Sequence, residues 1–136
     1  MQNGLERAKA LAAWKARVRQ EWSKIRVERI RTDGAESQDL KVGDQLQVQA
    51  QVHLGELKPT DVAVELFYGS LSAEGLIVEG QVLPTLIAQS KGQGTYVFAG
   101  AIPCRTSGRH GYALRIVPAH EDLGNPFEMG LILWGA

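Results

Sequence analysis

The chain has few of the residues on which reactive and cross-linked proteins depend. It contains one cysteine and three histidines among 136 residues. A single cysteine cannot form an internal disulfide, so the sequence indicates a protein of the reducing cytoplasm rather than a secreted, disulfide-linked domain. It also has no CxxC, no HExxH and no other closely spaced pair of metal ligands. We therefore expect no zinc site.

Long apolar runs are absent as well. No segment approaches the ~20 apolar residues that a bilayer-spanning helix needs. The first twenty residues, MQNGLERAKALAAWKARVRQ, lack the uninterrupted apolar stretch of a signal peptide. We expect a soluble, cytoplasmic protein with no membrane partner.

Charge is balanced over the whole chain but separated along it. Residues 1–31 hold nine Lys or Arg and three Glu, whereas residues 32–136 hold six Lys or Arg and twelve Asp or Glu. A basic segment of this kind can bind nucleic acid, or it can form a helix that docks on an acidic surface. We favour the second interpretation and expect no nucleic-acid partner.

The basic segment is predicted to be helical. The residues from Leu5 to Ile25 include neither Gly nor Pro and are rich in Ala, Lys, Arg and Glu. Apolar residues recur at steps of three or four and so share one face of the helix: Leu11, Trp14, Val18 and Trp22. We predict that residues 1–24 form an amphipathic N-terminal helix whose docking interface is Trp14, Val18 and Trp22.

After Ile25 the period of the apolar residues becomes that of β-strands. The segments LQVQAQVHL (46–54) and VAVELFYG (62–69) alternate between a core face and an outer face. Similar short runs follow at intervals of roughly ten to fifteen residues, separated by turn residues. The sequence therefore predicts a mainly β fold for residues 25–136: an immunoglobulin-like or fibronectin-like antiparallel β-sandwich of about seven strands.

The only cysteine lies in PCRTSGRHGYALRIVPAH (103–120), close to two histidines. Cys104 and His110 could act as a nucleophile and its base, which is the enzyme hypothesis for this chain. However, Cys104 ends an alternating strand, where a small apolar residue usually packs. We interpret Cys104 as structural, and Ser107, Gly108 and Gly111 as the turn between two strands. We assign no catalytic, cofactor-binding or metal-binding residue.

Two other groups of residues are weaker candidates. Glu121 and Asp122 are adjacent carboxylates, but neighbours on a loop point apart, and no apolar pocket is evident that would raise the pKa of either. We expect them to be solvated. Four aromatic residues could stack on a sugar, but three of them are in phase with the core face of their strands: Phe67, Tyr68, Tyr96 and Tyr112. We expect core packing.

Three segments give the chain a resemblance to a known family: AWKARVRQEWSKIRVERI, VHLGELKPTDVAVELFYG and SGRHGYALRIVPAH. They resemble the extreme C-terminal part of the bacterial and archaeal α-glucan phosphorylases, which include the glycogen and maltodextrin phosphorylases. The similarity covers nearly the whole chain and is weakest between about residues 70 and 94.

The resemblance implies a small β-sandwich appended to a two-domain glycosyltransferase body, with the N-terminal helix similar to the last helix of that body. Trp14, Val18 and Trp22 would pack on the body or, in its absence, fold back onto the sandwich. The family uses pyridoxal phosphate for the reversible phosphorolysis of α-1,4-glucan, but no position here matches the body's motifs for cofactor, phosphate or glucan.

The chain alone is therefore expected not to be an enzyme. Its expected partners are a phosphorylase body, or a second copy of the chain through the N-terminal helix, with a weak contact to α-glucan. The alternative function is a stand-alone carbohydrate-binding β-sandwich.

Overall fold

One helix and two antiparallel sheets make up the structure, a computed structural model that describes residues 2–33, 39–40, 43, 45–103, 108–125 and 127–135. The helix α1 (Gln2–Glu21) leads through a 3-10 turn (Trp22–Lys24) into the first strand. The strands are β1 (Arg26–Asp33), β2 (Asp39–Leu40), β3 (Gln45–His53), β4 (Val62–Leu71), β5 (Ile77–Pro84), β6 (Leu86–Gly92), β7 (Thr95–Pro103), β8 (Gly108–Pro118) and β9 (Leu133–Gly135).

The strands form two sheets whose orders are β1-β3-β7-β6 and β2-β8-β4-β5, with β9 also paired to β8. Seven of the described strands have seven or more residues, whereas β2 and β9 have two and three. The predicted β-sandwich of about seven strands after an N-terminal helix is confirmed.

The core lies between the sheets and extends under the helix. Strands β3 and β4 place alternate apolar residues inward, as their sequence period predicts, and Leu66 and Val52 are completely buried. Strand β7 lies beside β3 in one sheet and β8 lies beside β4 in the other, and both add apolar residues to the same core. The helix α1 adds side chains at one end of the sandwich. The buried apolar residues of these five elements are Val48, Ala50, Val52, Val62, Val64, Leu66, Phe98, Ile102, Leu114, Ile116, Val117, Trp14 and Val18.

The stretch 103–120 differs from the prediction in where the chain turns. Gly108 and Gly111 belong to β8, and Gly111 pairs with Gly69 of β4. A Cβ atom at Gly111 would lie 2.5 Å from Cδ2 of Leu71, so this glycine leaves room for the Leu71 side chain and does not reverse the chain. Cys104, Ser107 and the side chain of His110 lie outside the described residues, and the structural role of Cys104 stays a prediction.

The helix α1 lies across the end of the sandwich at which β4 begins and β8 ends. Its partners are residues just before β4 and just after β8, beginning with Asp61 and His120. Within the described part of the chain, no helix is long and apolar enough to cross a membrane.

Candidate functional site

Asp61 is the centre of the contact between α1 and the sandwich. It is 7% exposed. Its Oδ1 accepts a hydrogen bond from Nε1 of Trp14 at 2.9 Å, and its Oδ2 accepts one from the backbone N–H of Lys58 at 2.8 Å. Nη2 of Arg17 lies 3.4 and 3.3 Å from the same two oxygens. A buried carboxylate needs donors and a cation to replace its water shell, and Asp61 has both.

The backbone around Asp61 fixes the position of this carboxylate. Asp61 closes the 3-10 turn Pro59–Asp61, in which its N–H donates to the carbonyl of Lys58 at 2.9 Å. The carbonyl of Asp61 accepts a hydrogen bond from the N–H of Ala119, just after β8, at 2.9 Å. The carboxylate that holds the helix is therefore tied to both central strands of its sheet.

His120 holds the same tryptophan from another side. Its ring centroid lies 4.7 Å from that of Trp14, with the two planes tilted by 52°. Its Nδ1 accepts a hydrogen bond from the N–H of Asp122 at 3.0 Å, so a neutral His120 ring carries its proton on Nε2. Trp14 is thus fixed by a hydrogen bond to Asp61 and a ring contact with His120. We call Trp14, Arg17, Asp61 and His120 the helix clamp.

Two more ion pairs join the helix to the sandwich at its rim. Arg7 pairs with Asp122, and Nζ of Lys15 lies 3.4 Å from Oε1 of Glu128. The hydrogen bond from Arg7 to Asp122, together with the charge of that carboxylate, raises the pKa of the guanidinium above its ordinary value. These rim pairs, like the one between Arg17 and Asp61, set a basic helix against an acidic sandwich. The basic segment and the acidic remainder of the sequence therefore pair with each other within this chain.

Of the three residues predicted as a docking interface, two are buried within this chain. Trp14 is 8% exposed and Val18 is fully buried, and both belong to the core, while Trp22 is partly buried against it. This is the second of the two arrangements expected from the sequence, in which the stripe folds back onto the sandwich. Their contact with another polypeptide stays a prediction.

The sequence prediction missed the acidic side of the junction. Asp122 was expected to be a solvated loop residue, which is wrong, because it pairs with Arg7 and its side chain is only 23% exposed. Asp61 was placed in a turn with no role assigned. The separation of charge indicated that the helix would meet an acidic surface. No local pattern shows which of the twelve acidic side chains between positions 32 and 136 form that surface.

The fold and the helix clamp define a helix-capped, antiparallel β-sandwich domain. A family model described as the glycogen phosphorylase C-terminal domain matches residues 22–136. The chain therefore belongs to the glycogen phosphorylase C-terminal domain family.

Curated relatives extend this match. The chain is 33% identical over 128 residues to a maltodextrin phosphorylase of Thermococcus litoralis, with 91% of this chain and 14% of the relative covered. It is 30% identical over 126 residues to a glycogen phosphorylase of Mycobacterium tuberculosis, with 92% and 14% covered. The chain thus spans about one-seventh of the length of these relatives. No solved structure matches it significantly.

Proposed function

We propose that this chain is a non-catalytic accessory domain of an α-glucan phosphorylase, which supports or docks on the glycosyltransferase body in the cytoplasm. Membership of the C-terminal domain family over residues 22–136 is the observation that carries the proposal. The matched share of the relatives, 14%, leaves most of a phosphorylase outside this chain, and the chemistry is assigned to that remainder.

The helix clamp supports a docking role, because it joins α1 and the sandwich into one unit. A partner that contacts α1 would consequently also fix the orientation of the sandwich. The side of α1 opposite Trp14 is available for such a contact: Leu5, Ala12 and Ala16 follow at steps of seven and four residues, and all three are exposed. Leu5 is 59% exposed. The phosphorylase body is proposed to cover this outer face, while the inner face stays on the sandwich.

The described lysines also support placing pyridoxal phosphate outside this chain. The cofactor is held as a Schiff base on a lysine within an enclosed site. Of the five lysines among the described residues, Lys9, Lys24, Lys58 and Lys91 are exposed, and Lys15 pairs with Glu128. These lysines do not fit the cofactor.

A chimera tests the accessory role. The C-terminal domain of the Thermococcus litoralis maltodextrin phosphorylase would be deleted, and this chain fused in its place. We expect the deletion to lower the thermal midpoint and the chimera to recover part of that loss. In the chimera, Ala12→Glu and Ala16→Glu together should remove the recovery, because two buried carboxylates would face the body. Ala73→Glu, at an exposed position in the turn between β4 and β5, is the matched control.

Two outcomes would contradict the proposal. If the chimera behaves like the truncated enzyme, and the separate chain neither co-elutes with the body nor shifts its midpoint, the docking role is wrong. If the isolated chain, supplied with pyridoxal phosphate, phosphate and maltoheptaose, releases glucose 1-phosphate, the non-catalytic assignment is wrong.

A further inference from the structure

An exposed group of aromatic side chains lies on the outer face of the second sheet. Trp134 of β9 is paired with Arg115 of β8, which is paired with Glu65 of β4. The rings of Trp134 and Phe67 meet edge to face, with their centroids 5.8 Å apart and their planes at 73°. Phe127, from the loop before β9, completes the group. We call Phe67, Arg115, Phe127 and Trp134 the aromatic platform.

Arg115 holds the platform together. Its guanidinium carbon lies 5.2 Å from the ring centroid of Phe127 and 6.0 Å from that of Trp134. Nε and Nη2 both donate to Oε1 of Glu65, at 3.1 and 2.8 Å, which fixes the plane of the guanidinium. The side chains of Arg115 and Glu65 are only 15% and 22% exposed. A planar polar group is therefore fixed in contact with two aromatic rings.

The rings themselves are open to solvent. Trp134 is 50% exposed and Phe127 47% exposed. Among the described residues, the indole N–H of Trp134 has no polar partner. An exposed set of large rings with an unused donor is typical of a surface that contacts a ligand or a partner. A shallow groove of about 300 Å³ continues from Trp134 between Ile25–Val27 and Leu133–Gly135.

We propose that the aromatic platform is a surface site for α-1,4-glucan. The inference rests on the proposed function, because the relatives are named as glycogen and maltodextrin phosphorylases. The inference goes further than that function, because it assigns a glucan contact to the aromatic platform of this chain rather than to a phosphorylase body.

The chemistry of the platform fits a sugar polymer better than an anion. A glucose ring presents C–H groups on its faces and hydroxyls at its edge. The C–H faces stack on the indole of Trp134 and the ring of Phe127, and edge hydroxyls reach the rim of the Arg115–Glu65 pair. The indole N–H lies in the plane of its ring, so it bonds to a hydroxyl of the next sugar unit. Glu65 neutralises Arg115, so the platform has no net charge with which to hold a phosphate. Its open shape lets a long chain pass over it, and the adjoining groove offers room for further sugar units.

Titration of the isolated protein with maltoheptaose tests the site. We expect a change in tryptophan fluorescence and amide shifts confined to the platform and the adjoining groove. Trp134→Ala should weaken binding about tenfold or more, the loss expected when one stacked ring is removed. Trp134→Phe should retain most of the binding by calorimetry but lose the fluorescence change. Leu86→Ala, which removes a side chain that is 78% exposed on β6, is the matched control.

Three results would overturn the site. The first is no response to millimolar maltoheptaose by the correctly folded parent. The second is binding that Trp134→Ala and Phe127→Ala both leave unchanged while their thermal midpoints match the parent. The third is protection of Trp134 from solvent by a phosphorylase body and not by maltoheptaose, which would make the platform a protein interface. The chimera can succeed in any of these cases, so failure of this site and failure of the accessory role are distinguishable.

Discussion

Replacing Asp61 with alanine removes the central acceptor of the helix clamp, and the size of the effect follows from its partners. The buried indole N–H of Trp14 would lose its acceptor, which costs about 1–3 kcal/mol. The lost hydrogen bond from the Lys58 N–H adds about 1 kcal/mol. Arg17 is 51% exposed, so its ion pair contributes at most about 1 kcal/mol. We expect Asp61→Ala to lower the free energy of unfolding by about 3 kcal/mol, a fall of about 10 °C in thermal midpoint for a chain of this length.

Urea unfolding, followed by tryptophan fluorescence and far-UV circular dichroism, measures this loss, and a double-mutant cycle assigns it. Trp14→Phe removes the indole N–H and keeps most of the apolar contact. In that background Asp61→Ala leaves no unpaired indole, so its cost should fall by about 1 kcal/mol or more. Glu74→Ala, at an exposed position in the turn between β4 and β5, is the control and should stay within about 0.5 kcal/mol of the parent.

The reasoning is refuted if Asp61→Ala is no more destabilising than Glu74→Ala. It is also refuted if the effects of Asp61→Ala and Trp14→Phe simply add, because the two residues would then not be coupled through the hydrogen bond.

Two further predictions concern one turn and one ionisable group. Gly94 has a φ of +82°, and a Cβ atom there would lie 2.4 Å from the carbonyl oxygen of Gly55, so Gly94→Ala should cost about 2–3 kcal/mol in urea unfolding. Gly92→Ala has a similar φ of +80° in open space and should cost only about 1 kcal/mol; equal costs would contradict the close-contact explanation. Burial raises the pKa of Tyr112 above its ordinary value of 10.0. Because the folded state then holds the phenolic proton more tightly than the unfolded state, this stability is present below pH 10 and is lost as the pH rises through the folded-state pKa. Tyr112→Phe should therefore lose less stability than the parent as the pH rises above about 10, and identical pH dependences would show that Tyr112 does not titrate with folding.

The architecture was predictable because the helix and the central strands carry their own periodic signals. In β3 the alternation of apolar residues with glutamines specifies which face is buried, and Val48, Ala50 and Val52 are indeed inside. In α1 the steps between Trp14 and Val18 identify the buried face in the same way. Such patterns depend only on local geometry and on the need to bury apolar surface. The buried face of a strand or a helix can therefore be predicted without knowing the strand order.

The contacts that define the candidate sites were not predictable in this way. Trp14 and Asp61 are 47 positions apart, and no local period relates them. The aromatic platform depends on the register that sets Trp134 opposite Arg115, and a shift of one residue would turn the tryptophan to the other face. The alternation in β4 predicts Phe67 on the outer face, where it lies, but its contact with Trp134 depends on a strand more than sixty residues away. Pairings of this kind are set by the assembled sandwich rather than by any one segment.

The helix clamp and its rim pairs differ in how they respond to dissolved ions. The hydrogen bond between Trp14 and Asp61 is buried, so salt has little access to it. The Arg7 side chain is 65% exposed and that of Lys15 is 34% exposed, so their ion pairs weaken as ionic strength rises. The helix is thus secured at Trp14 independently of salt. Arg7, whose pair with Asp122 is the salt-sensitive contact farther towards the amino terminus, is the point at which the first turns loosen in concentrated electrolyte. Ionic strength would then tune how much of the amino-terminal half of α1 stays on the sandwich, without releasing the helix as a whole.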